Sequence, residues 1–213
     1  MARLIDPKCR QCRHVGEKLF LKGERCFTPK CAIVKRTYPP GARGKAGAFA
    51  RKRSSSEYGQ QLIKKQSIKK TYGIMERQLK RYFREASLQK GDTREHLLRK
   101  LEMRLDNVVF RLGWVKSRAA ARQLVNHGHV SLNNRRVTIP SGGVKAGDII
   151  SLKETIKKSK LMENLVVVLK KYEPPSWLAL DKEKIEGKVI KQPGVEDLGD
   201  LAPIGLIVEF YSR

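Results

Sequence analysis

Between residues 97 and 112 the apolar positions Leu97, Leu98, Leu101, Leu105, Val108, Val109 and Leu112 recur in steps of three and four, which is the period of one helix face. Gly113 stops that helix. Ser117 is an N-cap for a second helix over 117–127, apolar at Ala120, Ala121, Leu124 and Val125 and polar at Arg118, Arg122, Gln123 and Asn126, with Gly128 closing it. The period then drops to two. Val130 and Leu132, the Asn133-Asn134 pair, which tolerates positive φ, and Val137 and Ile139 predict a tight hairpin. Lys145, Gly147 and Asp148 turn the chain into a last strand over 149–152.

Upstream, Ser54-x-x-Glu57 reads as a capping box for a helix running to about Lys70, and a break at Tyr72-Gly73 precedes another with Met75, Leu79, Tyr82, Phe83 and Ala86 on one face. Gly91 ends that helix and Asp92-x-x-Glu95 opens the one entering the module, so the domain boundary is expected near Gly91. Downstream, Leu161, Leu165, Val168 and Leu169 suggest a helix, although 166–168 equally suits a strand; Pro174-Pro175 breaks it. Segments 177–180 and 188–190 read as strands that extend the small sheet, and Trp114 and Trp177 read as core. The pattern is α+β: helices first, then a helix pair with a small antiparallel sheet.

Charge changes the picture more than composition does. The 213 residues, 40% of them hydrophobic, suffice for modest cores; there is no apolar run near 18 residues and no signal-peptide core, so a cytosolic protein without membrane partners is expected. The net charge of +25 demands a polyanionic partner. It is unevenly spread, at +12 over residues 1–53 (15 cations, 3 carboxylates), +6 over 54–103, +7 over 104–153 and zero over 154–213. In the module Lys116, Arg118, Arg122, Arg135, Arg136 and Lys145 leave the apolar faces, opposed only by Asp106 and Asp148; with His127 they form a surface suited to RNA phosphates. The helices before it display Lys64, Lys65, Lys69, Lys70, Arg77 and Arg81. Residues 36–53, rich in Gly, Pro and cations, cannot bury enough to fold alone, and Arg43, Lys45, Arg51, Lys52 and Arg53 are expected to order on RNA backbone. Their glycines make no nucleotide loop, because no strand precedes them and no Lys-Ser or Lys-Thr follows.

All four cysteines lie in one short stretch, as Cys9-x2-Cys12 and Cys26-x4-Cys31. Two close pairs at this spacing can set four thiolates around one Zn²⁺, and a segment with so few apolar residues needs such a staple. An iron–sulfur cluster has the same ligand type, and a pair of disulfides is the remaining alternative, disfavoured in a reducing cytosol. No catalytic constellation accompanies them, since His14, His96, His127 and His129 pair with no nucleophile. Arg104-Leu105-Asp106 resembles a triplet of RNA-modifying pseudouridine synthases, but apolar residues continue a helix after it, so Asp106 is expected to orient Arg104 or nearby backbone. Three classes of function are open to such a chain: a structural RNA-binding protein, an RNA-modifying enzyme and a zinc-dependent DNA-binding regulator. The chain has no room for a further catalytic domain and no visible dimer seam, which favours the first.

The runs RLDNVVFRLGW, SRAAARQLVNHGHVSLNNRRV and PSGGVKAGD, with the four cysteines, YGIMERQLKRYF and the terminal LIVEFYSR, resemble the cysteine-containing, zinc-binding form of the bacterial small-subunit ribosomal protein four family, over essentially the whole chain. The resemblance implies four regions: a zinc-binding segment at 1–35, a basic loop and helical domain at 36–91, an α+β domain at 92–195 holding the RNA-binding module at about 104–153, and a terminal segment at 196–213 that returns to the N-terminal helices. It further implies a non-enzymatic constituent of the small subunit, in the cytoplasm on the ribosome. That constituent binds the 5′ domain of the rRNA early in assembly, meets messenger where it enters the subunit, touches ribosomal proteins five and three, contributes to translational accuracy, and takes no small-molecule substrate.

Overall fold

The computed structural model describes residues 5–41, 44, 56–157, 159, 165–198 and 202–212. Two compact units divide the chain, Met1–Leu97 with Asp200–Arg213, and Leu98–Gly199. In the first, α1 (Lys8–Val15) ends at Gly16, φ +86°, whose amide donates to Cys12 O. A 3-10 turn (Gly23–Cys26) and α2 (Ala32–Lys35) follow. Helix α3 (Glu57–Tyr72) is capped by Ser56, which accepts from the Gly59 amide, so the expected cap at Ser54 is displaced by two residues; Ser54 itself lies outside the described residues. Helix α4 (Glu76–Ser87) buries Leu79, Tyr82 and Ala86, while Met75, expected on that face, sits at the N-cap and is exposed. Helix α5 (Thr93–Glu102) contains the division between the two units.

The apolar period through residues 97–112 predicts one helix, but the structure has two. Arg104 adopts an extended conformation, φ −75° and ψ 139°, between α5 and α6 (Leu105–Arg111). The kink arises because backbone from a distant loop competes for the turn: Leu105 and Asp106 amides donate to Gly142 O and Pro140 O, and the Val144 amide donates to Met103 O. All seven apolar residues of the pattern are buried nonetheless. Helix α7 (Arg118–Asn126) is capped by Ser117, which accepts from the Ala120 amide.

Next come β1 (Val130–Leu132), β2 (Arg135–Val137) and β3 (Ile149–Leu152). Asn133 and Asn134, φ +49° and +62°, form the two-residue turn of the first hairpin. Asn133 also ties that turn to β3: its side-chain amide donates to Asp148 Oδ1 and its Oδ1 accepts from the Ile149 amide. The second strand stops at Val137, which leaves Ile139 exposed. After α8 (Glu154–Lys157) and α9 (Leu165–Lys170) come β4 (Leu178–Asp181) and β5 (Glu186–Val189), completing an antiparallel sheet of order β2-β1-β3-β5-β4. Of the two readings open for 166–168, the helix is observed; Leu161 lies outside the described residues. One core joins α6, α7 and the sheet, and both Trp114 and Trp177 lie inside it. Gly187 is required there, because a Cβ would stand 2.4 Å from Leu112.

The short α10 (Val195–Leu198) precedes α11 (Ala202–Ser212), which packs on α3 and α4 in the first unit and buries Ile204 and Ile207. At their meeting point Glu76 Oε1 accepts from Lys65 Nζ (2.8 Å) and Tyr211 OH (2.7 Å), and its Oε2 from Lys69 Nζ (3.2 Å). Lys65 Nζ also lies over the Phe210 ring at 4.1 Å. Burial by itself raises the Glu76 carboxyl, but the bonds from Lys65, Tyr211 and Lys69 outweigh it and hold the group at about 2; burial and the neighbouring carboxylate push Tyr211 up. With the folded value depressed, the stability lent by this cluster is complete above the ordinary value of 4.5 and is lost as pH falls from there toward 2. Hydrogen-exchange protection of the α11 amides, corrected for intrinsic rates, should therefore decline across that window. A Glu76→Gln chain, less protected at neutral pH, should show no such decline.

Candidate nucleic-acid interface

The module's surface rests on a buried polar layer. Arg104 Nε and Nη2 donate to Asp106 Oδ1 (3.0 Å) and Oδ2 (2.7 Å), and Arg122 Nη1 reaches the same Oδ2 at 3.3 Å. All three residues are buried. Asp106 thus orients Arg104, as expected, and both of its oxygens are bound within the fold. Arg122, expected on the outer side of α7, is turned inward instead, because Asp106 supplies the counter-charge that makes burial tolerable. Beside this layer Glu102 accepts a two-pronged bond from Arg111 and another from Asn107 Nδ2. Asn107 Oδ1 in turn accepts from Arg118 Nε at 2.8 Å, and the Arg118 guanidinium lies 4.6 Å over the Phe110 ring. Arg118 therefore reaches the surface in one fixed pose. No periodicity marks Glu102 and Asn107 as its supports; they are found only once α5 and α6 are in place.

Lys116, exposed, stands with Arg118 at the start of α7; His127 stands at its other end. Gly128, φ +68°, leaves room for Arg136, since a Cβ there would be 2.2 Å from the Arg136 Nε. Arg136 and His127 are thereby brought to the same corner, where the His127 and His129 rings meet edge to face at 5.9 Å. Arg135, Arg136 and Lys145 are exposed on the hairpin and the loop before β3. Lys116 and Arg118 thus stand at one end of α7, and His127 and Arg136 at the other.

The first unit departs further from expectation. Lys65 is buried on Glu76 and Phe210, so its expected display is corrected; its charge is already answered. Lys69 also bonds to Glu76, and Lys64 pairs with Glu17. Lys70 is half-buried, and burial together with the Lys69 charge lowers its pKa. Arg77 and Arg81 are exposed, Arg81 with Glu85 at 3.5 Å. Arg43, Lys45, Arg51, Lys52 and Arg53 lie outside the described residues.

Cys12, Cys26 and Cys31 are buried and Cys9 is half-buried, all four as free thiols. The Cys26 sulfur accepts from the Lys22 amide at 3.4 Å. Burial pushes the Cys12 thiol up, a Leu19 backbone bond draws it back, and Cys26, Cys9 and Cys31 raise it further, so the other three sulfurs all act on it. Among the described residues no three Cys, His, Asp or Glu side chains converge as an ion's ligands would. The four thiols have the donor type and number that a closed tetrahedral site uses, without being gathered as one.

Residues 3–102 match the ribosomal protein S4/S9 N-terminal domain and residues 103–150 match the S4 domain, so the fold is that of a ribosomal protein carrying an S4 module. Over all 213 residues, with 100% of each chain covered, the sequence is 50% identical to small ribosomal subunit protein uS4 of Halothermothrix orenii, 50% to that of Heliobacterium modesticaldum and 47% to that of Syntrophomonas wolfei. The chain belongs to the small ribosomal subunit protein uS4 family. No helix among the described residues is long and apolar enough to cross a membrane.

Replacing Asp106 by Asn would strand two buried arginines. The expected loss is about 3–5 kcal/mol of stability in the second unit. Both tryptophans lie in that unit, so their fluorescence during urea unfolding measures it directly.

Proposed function

We propose that the chain is a structural constituent of the small ribosomal subunit that binds the 5′ domain of small-subunit rRNA early in assembly and performs no reaction. The observation that carries this reading is the pose of Arg118, held by Asn107 and stacked on Phe110 at the head of α7, with Arg135 and Arg136 exposed on the hairpin. Cations fixed in advance on a rigid scaffold lose little side-chain entropy when they meet phosphates, and binding is then driven by release of the RNA's counterions. A-form RNA offers its backbone and 2′-hydroxyls rather than its base edges, so such a surface reads the shape of folded helices. The bonds that Arg104 and Arg122 make to Asp106 favour this over an RNA-modifying enzyme, whose carboxylate would have to meet its substrate. Lys116, His127, Lys64, Lys69, Lys70, Arg77 and Arg81 extend the contact. Arg43, Lys45, Arg51, Lys52 and Arg53 lie against messenger where it enters the subunit, near proteins three and five, and the protein contributes to decoding accuracy there, in the cytoplasm.

The test is salt-dependent binding of the purified chain to 5′-domain rRNA. Arg135→Glu with Arg136→Glu should lower affinity and reduce the slope of log K against log salt by roughly two, whereas Glu183→Gln with Glu186→Gln should change neither. A wild-type chain with no preference for 5′-domain rRNA over unrelated RNA would sink the reading.

Cys9, Cys12, Cys26 and Cys31 hold one structural Zn²⁺, with an iron–sulfur cluster as the minor alternative. When bound, the ion supplies folding energy to a segment whose buried apolar residues are few. Chain purified under reducing conditions should carry one zinc, lost on Cys26→Ser together with protease resistance between Cys9 and Cys31. A visible sulfide-to-iron absorption would favour the cluster, and metal-free chain of undiminished resistance would exclude both.

A further inference from the structure

At the C-terminal end of α7 two histidines flank a glycine. His127 caps the helix with an exposed ring, Gly128 turns the chain, and His129, half-buried, leads into β1 with its ring edge to face against that of His127. Arg136 reaches the same stretch of backbone: a Cβ on Gly128 would stand 2.2 Å from its Nε and 2.5 Å from its Nη2. The guanidinium therefore lies against bare main chain, with an imidazole on either side along the sequence. We infer that His127 and His129 form, with Arg136, a proton-linked RNA contact: phosphate arriving at this corner draws a proton from solvent onto the histidine pair, so that RNA affinity depends on pH. The inference rests on the reading given under Proposed function and adds to it the regulation of that same surface.

The groups around the pair come from four elements. From β2 comes Arg136, exposed and paired in register with Ser131, two residues on from His129. From the end of β3 comes Lys153, whose amide donates to His129 O at 3.0 Å. Helix α7 has no charged side chain in its last turn and presents its closing carbonyls, the His127 amide donating to Gln123 O and Val125 O. At the start of α8, next after Lys153, Glu154 pairs with Lys157 at 2.8 Å. The module's other carboxylates are likewise engaged: Asp106 by Arg104 and Arg122, Glu102 by Arg111, and Asp148 by Asn133 and the Lys145 amide.

Arg136 and Lys153 repel a charge on the imidazoles, and the carbonyl end of α7 attracts one, so within the fold the two influences oppose each other. An RNA phosphate in the corner adds attraction that nothing offsets, and the proton goes to the ring nitrogen that lacks one. The sign follows from linkage. A group whose proton affinity rises in a complex tightens that complex as pH falls; the gain is complete below its free-state titration and is lost as pH rises through its bound-state one. Two charged rings in contact repel, which limits the pair to about one proton rather than two. Imidazole ordinarily titrates near about 6.5, whereas the lysines and arginines of the surface stay charged throughout the neutral range. The other two histidines are placed differently: His96 Nε2 lies 3.0 Å from Lys90 O, and His14 is on α1.

The experiment measures binding of the full chain to 5′-domain rRNA from about pH 8 to about pH 5.5, a window centred on ordinary imidazole and above the one in which the Glu76 cluster is lost. One variant carries His127→Gln with His129→Gln, which cannot be charged; a second carries Lys at both positions, charged throughout; a third carries His14→Gln with His96→Gln. Across the window wild-type affinity should rise roughly three- to tenfold more than that of the first variant on the same RNA, so that titration of the RNA's own bases cancels. Its salt slope should steepen by up to one contact, about 0.7–0.9, as pH falls. The lysine variant should lack the pH dependence, and the third variant should keep it. Calorimetry in two buffers of different ionisation heat should show the wild type taking up more protons on binding than the first variant. A glutamine variant at 127 and 129 with the wild-type pH profile, or a third variant that loses it, overturns the proposal. Tryptophan fluorescence checks folding, and if the glutamine variant does not fold, a wild-type profile in the lysine variant overturns the proposal equally. A wild type with no preference for 5′-domain rRNA at any pH removes the underlying reading; a preferring wild type whose profile matches the glutamine variant's removes the proton linkage alone.

Discussion

Repulsion among like charges is the constraint under which this protein folds. A chain with 46 lysines and arginines against 21 aspartates and glutamates has to decide which cations it neutralises internally. Each unit places one carboxylate where several cations converge. Asp106 holds Arg104 and Arg122 in the second unit, and Glu76 holds Lys65 and Lys69, with the Tyr211 hydroxyl, in the first. These are ion pairs with fitted geometry, and their removal would leave buried charge without a partner. Asp106 and Glu76 are therefore structural, each holding cations that the fold keeps for itself.

The same economy orients the interface. Arg118 is linked to Glu102 through Asn107, and its guanidinium lies over the Phe110 ring. Arg136 is accommodated because Gly128, which ends α7, has no side chain. In the first unit the terminal helix α11 closes over α3 and α4, with Phe210 under Lys65 and Tyr211 on Glu76, so a helix with one carboxylate and no cation completes a basic domain. The lack of cations in α11 is physically sensible, since it has to lie against helices that already carry excess positive charge.

Much of this was legible before any coordinates. The helix pair, the Asn-Asn hairpin, the two further strands that extend the sheet, and Asp106 as a partner of Arg104 all follow from periodicity, capping residues and turn chemistry, which act over a few residues. What failed was of another kind. Ser54 competes with Ser56 for one cap, and sequence does not say which hydroxyl meets the Gly59 amide. The apolar period running through Met103 and Arg104 concealed a break made by carbonyls some 35 to 40 residues away, at Pro140 and Gly142.

Charge likewise divides between the two levels. Sequence by itself determined that the protein is strongly basic, that its last quarter is neutral, that four cysteines share one short segment, and that an α+β module carries cations off its apolar faces. It did so because composition and period are local properties of the chain. Only the tertiary structure decided that Lys65 and Arg122 point inward, that Arg118 is fixed, and that Arg136 lies against Gly128, between His127 and His129 in the chain. Those outcomes depend on which residues, distant along the chain, come within bonding distance, and a lysine or arginine on a helix has the same local signature whether its partner is a carboxylate of the fold or a phosphate outside it.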